Sequence, residues 1–203
     1  MSAYPIVLEG TAISALIVGG GRVAARKTRA LIDAGARVHV VAPVVDGELE
    51  VLATATDRLR VTLARYAPEH VHDVTMVIAA TDDPRTNAAV AADARAAGCL
   101  VNVVDQPGLG DFITPAVHRR GDLVVAVAAG GVPNAAARIR DSIGRTIDGR
   151  YAAAVRDLAA LRSTLIAAGD RDRWSAAAAA LVDDDFCARV ESGEFAAGIA
   201  EWR

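Results

Sequence analysis

The chain has 203 residues, of which 53% are hydrophobic and 23% are charged, and its formal net charge is −3 at pH 7. These values exclude an intrinsically disordered protein, and they give no reason to expect nucleic acid or a membrane surface as a partner. Two cysteines, Cys99 and Cys187, exclude a disulfide framework and a zinc site built from cysteines. No apolar run reaches about 18 residues, so we expect a cytoplasmic protein without a signal peptide or membrane span.

The predicted secondary structure alternates between strands and helices up to residue 105. Short segments rich in apolar residues predict strands at 15–18, 37–42, 60–63, 74–80 and 99–104. Between them, the residue patterns predict helices at 22–34, 48–55 and 85–97. Runs that are apolar throughout are typical of strands buried on both faces of a parallel sheet. The alternation therefore predicts an α/β fold with a doubly wound parallel sheet.

The first of these strands leads into three glycines and then into a helix. Gly19, Gly21 and Ala24 have the G-x-G-x-x-A spacing of a dinucleotide-binding turn. In such a turn the first glycine permits the sharp bend, and the second lets the backbone approach a pyrophosphate. The phosphates then lie at the positive end of the helix that begins near Arg22. A glycine turn without a ligand is the alternative, but the strand before it and the helix after it favour nucleotide binding.

The end of the second strand gives little information on the choice between NAD and NADP. An NAD site usually has an acidic residue there, which binds the ribose 2′-hydroxyl. This strand instead ends in Ala42 and Pro43, and the first acidic residue is Asp46. The sequence therefore leaves the choice of cofactor open.

Polar residues follow the fourth and fifth strands. Thr81 and Asp82 come after the fourth strand, and Asp105 comes after the fifth. Because ligands of open α/β sheets bind at the carboxyl ends of the strands, we expect these side chains to line one crevice with the glycine turn. A carboxylate beside a nicotinamide can accept a proton as a hydride leaves. The alternative role of Asp105 is to cap the turn at Gln106 and Pro107.

The character of the chain changes after Asp105. A turn-rich connection over 107–115 leads to a short segment at 116–120, an apolar strand at 123–128 and a helix that begins near Asn134. This unit is too small to bury a core alone, so we expect it to pair with a second copy. Beyond Asp148 the pattern is helical, with a break at 169–170, a helix at 174–182 and one last helix over 186–202.

Several separated strings together resemble the precorrin-2 dehydrogenase family, the NAD-dependent enzymes of siroheme synthesis, some of which also insert the metal. The string LIVGGGRVAARK at 16–27 resembles the family's cofactor turn, and AATDD at 79–83 with Asn87 resembles its fourth-strand loop. VNVVDQP at 101–107 and FITP at 112–115 resemble its active-site segment. RRGDLVVAV at 119–127, with Gly130, Gly131, Ala137 and Arg138, resembles its dimerisation unit.

This resemblance implies a Rossmann-type NAD-binding domain at 1–112, a small α+β dimerisation domain at 113–147 and a helical C-terminal region at 148–203. It implies a homodimer that removes a hydride and protons from precorrin-2, passes the hydride to NAD⁺ and leaves sirohydrochlorin. Asp105 is then the catalytic residue. The implied cofactor-binding residues are Gly19, Gly20, Gly21, Arg22, Val23, Pro43, Val44, Ala80, Thr81 and Asp82. The implied substrate-binding residues are Asn102, Thr114, His118, Gly130, Gly131 and Arg138.

The region around the paired glycines departs from the family pattern. Family members usually have Ser or Thr before these glycines and Ser-Pro after them, whereas this chain has Ala128 and Ala129 before and Val132-Pro133-Asn134 after. Two alternatives follow: a related NAD(P)-dependent oxidoreductase with a different substrate, and a non-catalytic protein that binds NAD or a tetrapyrrole. A precorrin carries several carboxylates, for which Arg119, Arg120, Arg138 and Arg140 are candidate partners.

Metal insertion is left open by the sequence. In relatives that insert iron or cobalt, the same aspartate is proposed to take the pyrrole protons, a role that would fall on Asp105. We find no dedicated set of metal ligands. His70 and His72 have the spacing of a ligand pair, but solvated loop histidines are the favoured interpretation.

Overall fold

Five parallel strands form the centre of the first part of the chain. The computed structural model describes residues 3–203, and its parallel strands are β1 (Ser14–Val18), β2 (Arg37–Ala42), β3 (Leu59–Leu63), β4 (Met76–Ala79) and β5 (Leu100–Val103). They lie in the order β3-β2-β1-β4-β5. This order confirms the predicted doubly wound sheet. It also places the switch point, where ligands bind in such sheets, between β1 and β4.

Three helices cover the two faces of this sheet: α1 (Arg22–Asp33), α2 (Gly47–Ala55) and α3 (Pro84–Ala96). On one face, Ala24 of α1 and Leu49 of α2 join Ile17 in a buried cluster. On the other face, Val90 of α3 lies in a second cluster with Leu16. Because successive strand residues point to opposite faces and both faces are covered, β1 is apolar and buried from Ala15 to Val18.

Acidic side chains begin two of these helices at the carboxyl edge of the sheet. Asp46 Oδ1 accepts a hydrogen bond of 2.9 Å from the backbone N–H of Glu48 before α2. Asp83 accepts bonds of 3.1 and 3.2 Å from the N–H groups of Arg85 and Thr86 before α3. These bonds satisfy amide groups that the first turn of a helix leaves without partners.

The segment after β5 turns back along the strand. It contains a short 3₁₀ turn at Pro107–Leu109, and the backbone N–H of Asp111 then donates to the carbonyl of Val101 at 2.7 Å. Phe112 packs against the cluster that α1 and α2 cover. This segment, residues 104–114, therefore covers part of the same sheet face as α1.

The second unit, Pro115–Arg203, begins with the antiparallel pair β6 (Ala116–Arg120) and β7 (Leu123–Val127). Helices α4 (Pro133–Thr146), α5 (Gly149–Ala167), α6 (Arg171–Leu181), α7 (Phe186–Ser192) and α8 (Phe195–Ala200) follow. Its buried cluster contains Tyr151, Leu161 and Phe195. The first unit ends at Thr114. The division of the chain at residues 112 and 147 stays a prediction.

The prediction of one helix over 186–202 is wrong. Gly193 has a φ of +89°, which is left-handed, and it ends α7. The chain then reverses, so that the Phe186 and Phe195 rings meet edge to face with their centroids 5.4 Å apart. A glycine in this conformation is a common helix stop, and burial of two aromatic rings favours the reversal over a continuous helix. Within residues 3–203, no helix has both the length and the apolar character that a membrane crossing requires.

Candidate active site

The three glycines form a turn that neighbouring backbone closes from two sides. Gly19 has a φ of +125°, and a Cβ atom built there would lie 2.3 Å from the carbonyl oxygen of Ala80. A Cβ on Gly20 would lie 2.0 Å from the carbonyl oxygen of Val44. At Gly21 nothing in the described chain lies within 4 Å of the Cβ position. The first two positions therefore require glycine for packing, whereas Gly21 leaves its backbone open to a ligand.

The helix after this turn offers free amide groups. Gly21 is its N-cap residue and supplies no side-chain cap, and the N–H of Ala25 makes the first intrahelical bond, to the Gly21 carbonyl at 3.0 Å. The N–H groups of Arg22, Val23 and Ala24 therefore have no partner within the helix. Together with the positive end of the helix dipole, they suit the pyrophosphate of a dinucleotide. The open backbone at Gly21 gives a pyrophosphate room to approach.

The loop after β2 packs against the glycine turn through Asp46. Its N–H donates to the Gly20 carbonyl at 2.7 Å, while its carboxylate caps α2. The first acidic residue after β2 is therefore occupied as a helix cap. Of the predicted cofactor residues in this loop, Pro43 and Val44 are exposed, Val44 to 78%.

A buried amide joins the loop after β4 to Asp105. Asn87 is fully buried in α3, and its Nδ2 donates to Asp105 Oδ1 at 2.9 Å and to the Thr81 carbonyl at 3.1 Å. Its Oδ1 accepts from the Thr81 hydroxyl at 2.7 Å and from the Thr81 N–H at 3.2 Å. All hydrogen-bonding positions of this amide are thus used. The network fixes both the loop beside the glycine turn and the carboxylate at the end of β5.

The two acids after β4 differ in their contacts. Asp82 is exposed. Asp83 accepts the Thr86 hydroxyl at 2.6 Å, and this bond, together with the backbone N–H groups, lowers the pKa of Asp83. Asp83 is therefore committed to α3. Asp105 is exposed at the carboxyl end of β5, where solvent can reach its carboxylate, and Asn87 connects it to Thr81 after the neighbouring strand β4. That Thr81, Asp82 and Asp105 line one crevice with the glycine turn stays a prediction.

Two predicted substrate residues of the first unit hold the segment 104–114. Asn102 is only 5% exposed, and its Nδ2 donates to the Phe112 carbonyl at 2.9 Å. Thr114 Oγ1 accepts a bond of 2.8 Å from Lys27 Nζ. Burial and, to a smaller extent, the neighbouring Arg26 lower the pKa of Lys27 to about 8.

The remaining predicted substrate residues lie in the second unit. His118 is half-buried on β6, and its Nε2 donates to the Ile147 carbonyl at 2.8 Å. Gly130 and Gly131 have φ values of +54° and +85° in the turn before α4. Arg138 is exposed on α4. This hydrogen bond from His118 connects β6 to the end of α4.

The residues around the glycine turn match a known family. A model of the family described as "Putative NAD(P)-binding" matches residues 6–116. The chain belongs to this NAD(P)-binding family. The match confirms the predicted nicotinamide dinucleotide cofactor, whereas the residues that bind it stay a prediction.

Three siroheme synthases are similar to this NAD(P)-binding chain. The protein of Nitrosomonas europaea is 42% identical over 139 residues, which are 68% of this chain and 29% of that protein. The protein of Chromobacterium violaceum is 45% identical over 152 residues, 74% of this chain and 32% of that protein. The protein of Pseudomonas entomophila is 49% identical over 125 residues, which are 62% of this chain and 27% of that protein. The matched part thus amounts to less than a third of the length of these relatives.

A solved structure of SirC, a precorrin-2 dehydrogenase, has the same fold. It superposes with a TM-score of 0.72 at 24% sequence identity, and the match covers 98% of this chain and 100% of that chain. The matches confirm the resemblance stated from the sequence and the predicted fold class, including the α+β unit and helices after the NAD(P)-binding domain.

The histidines at 70 and 72 have separate partners. His70 Nδ1 lies 3.0 Å from the backbone N of Ala67, and His72 Nδ1 pairs with Asp73 at 2.8 Å on the surface. Over residues 3–203, the structure shows no cluster of three or more His, Cys, Asp or Glu side chains suited to a metal ion.

Sequence reasoning missed two residues of this region. Asn87 was noted only as part of a family string, and nothing in its local sequence indicates that its amide reaches Asp105. Lys27 ends the cofactor string and is the single lysine of the chain, but neither fact predicts that its amine reaches Thr114.

Proposed function

We propose that the protein oxidises precorrin-2 to sirohydrochlorin in siroheme biosynthesis, with NAD⁺ as the hydride acceptor. The observation that carries this proposal is the position of Asp105, which Asn87 links to the loop beside the glycine turn. The similarity to siroheme synthases and to a precorrin-2 dehydrogenase supports the choice of substrate.

The cofactor is proposed to bind along the carboxyl edge of the sheet. The N–H groups at the start of α1 would hold the pyrophosphate, and the loops after β2 and β4 would flank the rest. The proposed residues are Gly19, Gly20, Gly21, Arg22, Val23, Pro43, Val44, Ala80, Thr81 and Asp82. When bound, NAD⁺ takes up the hydride that the substrate loses.

Asp105 is proposed as the proton acceptor. Conversion of precorrin-2 to sirohydrochlorin removes one hydride, which carries both electrons to NAD⁺ and gives NADH, and one proton, which passes to a carboxylate oxygen of Asp105. The bond from Asn87 uses one carboxylate oxygen and leaves the other free. Because Asp105 is exposed, it can release the proton to water before the next turnover.

Substrate contacts are proposed for Asn102, Thr114, His118, Gly130, Gly131 and Arg138. The alanines at 128 and 129 offer no hydroxyl to the substrate. Recognition therefore depends on backbone N–H groups of the glycine pair and on cationic side chains, which suit carboxylates.

We also propose that the second unit forms a homodimer through β6 and β7. Every residue of the two strands is at least partly exposed, although β7 reads Leu-Val-Val-Ala-Val. Val117 and Ala126 are paired neighbours and both are exposed. A two-stranded sheet is marginal alone, and a second copy would cover this apolar face.

Metal insertion is proposed as a second activity, in which Fe²⁺ or Co²⁺ is a substrate and Asp105 takes the pyrrole protons. This makes the protein a lyase of the ferrochelatase type as well as an oxidoreductase. We also propose that the protein is located in the cytoplasm.

An anaerobic assay tests the main proposal. Precorrin-2 generated in situ should give NADH absorbance with NAD⁺, and a parallel run with NADP⁺ measures cofactor preference. Asp105→Asn should lower kcat about 100-fold or more, as loss of a general base does. Asp57→Asn is the matched control, because Asp57 is exposed in the turn before β3 at the opposite edge of the sheet. No NADH from the wild type, or full activity of Asp105→Asn, would contradict the proposal. Addition of Co²⁺ or Fe²⁺ to the product then tests insertion.

A further inference from the structure

The amine of Lys27 has no counter-ion. It is the only lysine of the chain, it is half-buried on α1, and its Nζ donates to the exposed Thr114 at 2.8 Å. Among residues 3–203, no carboxylate lies within 4.0 Å of this amine. A cation removed from water without an anionic partner is unfavourable, so the amine is suited to meet an anion from outside the chain.

Both acidic side chains of the segment 104–114, Asp105 and Asp111, are engaged elsewhere. Asp111 Oδ2 accepts from the Val101 N–H at 3.0 Å, and Asp111 Oδ1 lies 3.4 Å from Arg95. Asp105 accepts from Asn87. The other charged group close to Lys27 is Arg26, a further cation, and burial with this neighbour lowers the Lys27 pKa to about 8. Residues 3–203 therefore supply no carboxylate partner for either Lys27 or Arg26.

Lys27 lies beside the segment that also carries Asp105. This segment is fixed to β5 by the bond from Asn102 to the Phe112 carbonyl, two residues before Thr114. Asn102 precedes Asp105 by three residues, which span at most about 10 Å. A large ligand at Asp105 with acidic side arms can therefore reach toward this amine. The Thr114 hydroxyl accepts from Lys27 and still has its own hydrogen to donate.

We propose that Lys27 and Thr114 form a carboxylate-binding site for one acidic side arm of the substrate. The ammonium and the Thr114 hydroxyl each donate to the carboxylate, and a charge-assisted bond of this kind is stronger than a neutral one. The inference rests on the proposed function, since the tetrapyrrole supplies the carboxylates.

A single NMR signal reports on this site. Growth with lysine labelled at Cε and Nζ gives one labelled side chain, because the chain has no other lysine. We expect anaerobic addition of sirohydrochlorin at pH 8 to move the Lys27 signal to the fully protonated position, since a bound carboxylate favours the charged amine. Absorbance of sirohydrochlorin measures binding in the same sample.

Three variants separate charge from structure. Lys27→Met should weaken sirohydrochlorin binding about 10- to 100-fold, the range expected for one charge-assisted bond. Lys27→Arg keeps the charge, and its affinity for sirohydrochlorin should stay within about threefold of that of the wild type. The affinity of Thr114→Val should lie between those of Lys27→Arg and Lys27→Met. NAD⁺ affinity should be unchanged in all three, which shows that the first unit is folded.

Two negative results are distinguishable. If the wild type binds no sirohydrochlorin, the proposed function fails and the carboxylate site fails with it. If sirohydrochlorin binds while the Lys27 signal stays in place, or if Lys27→Met binds as the wild type does, the carboxylate site alone is overturned.

Discussion

Asn87→Asp is the sharpest test of the network at the active site. The substitution keeps the size of the side chain but replaces the donor Nδ2 with an oxygen. Two attractive contacts, at 2.9 Å to Asp105 Oδ1 and 3.1 Å to the Thr81 carbonyl, become contacts between oxygens. A second carboxylate is also placed at a fully buried position. The change therefore removes bonds and adds repulsion at the same point.

The expected cost follows from these contacts. Each of the two lost bonds is worth about 1 kcal/mol. The bond to Asp105 is counted as a bond to a neutral acceptor, because Asp105 is exposed to solvent. Burial of the unpaired oxygen at position 87 adds about 1–3 kcal/mol. We therefore expect the free energy of unfolding to fall by about 3–5 kcal/mol, a large part of the stability of an ordinary domain.

Urea unfolding followed by circular dichroism measures this loss. Both tryptophans, Trp174 and Trp202, lie in the second unit, so their fluorescence follows that unit separately. Asn134→Asp is the matched control, because it adds the same charge at an exposed position in the first turn of α4 and should change stability by less than about 0.5 kcal/mol.

Turnover gives the second measurement. With Asp105 no longer held, kcat should fall about 10- to 100-fold, while KM for precorrin-2 changes little. If Asn87→Asp unfolds at the same urea concentration as the wild type and keeps its kcat, the network neither stabilises the loop nor positions Asp105.

Four other substitutions test three further parts of the structure. Gly20→Ala forces a Cβ to within 2.0 Å of the Val44 carbonyl and should cost about 1–3 kcal/mol of stability. Gly21→Ala meets open space, so it should leave unfolding unchanged but weaken NAD⁺ binding about tenfold in calorimetric titrations; equal stability of the two variants contradicts this account. Because the folded pKa of Lys27 is about 8 against 10.5 for the ordinary group, its burial cost is full below pH 8 and is relieved as the pH rises toward 10.5. The stability of the wild type relative to Lys27→Met, measured in urea, should therefore rise between pH 8 and pH 10, and a difference independent of pH contradicts the burial. Val117→Glu should convert a dimer into a folded monomer, as judged by light scattering after gel filtration, whereas a monomeric wild type overturns the proposed interface.

Much of the fold could be predicted from the sequence because its determinants are local. Strands that are apolar throughout and alternate with helices allow few arrangements other than a doubly wound sheet. The glycine turn was predicted for the same reason: Gly19 and Gly21 are two residues apart, and the strand and helix around them lie within the same short stretch. Asp105 was placed at the carboxyl edge because the end of β5 is itself a local feature.

What the sequence by itself determined is thus the glycine turn, the order of the elements and the edge at which Asp105 lies. The tertiary structure decided how that edge is held together. The bond from Asn87 to Asp105 joins residues 18 positions apart, and that from Lys27 to Thr114 joins residues 87 apart. The first bond depends on α3 lying beside the end of β5, and the second on α1 lying beside the segment 104–114. Local patterns do not encode these neighbours in space. Only the tertiary structure shows that Asp46 caps α2. It also shows that, of the three glycines, Gly21 is the one whose backbone is open to a phosphate.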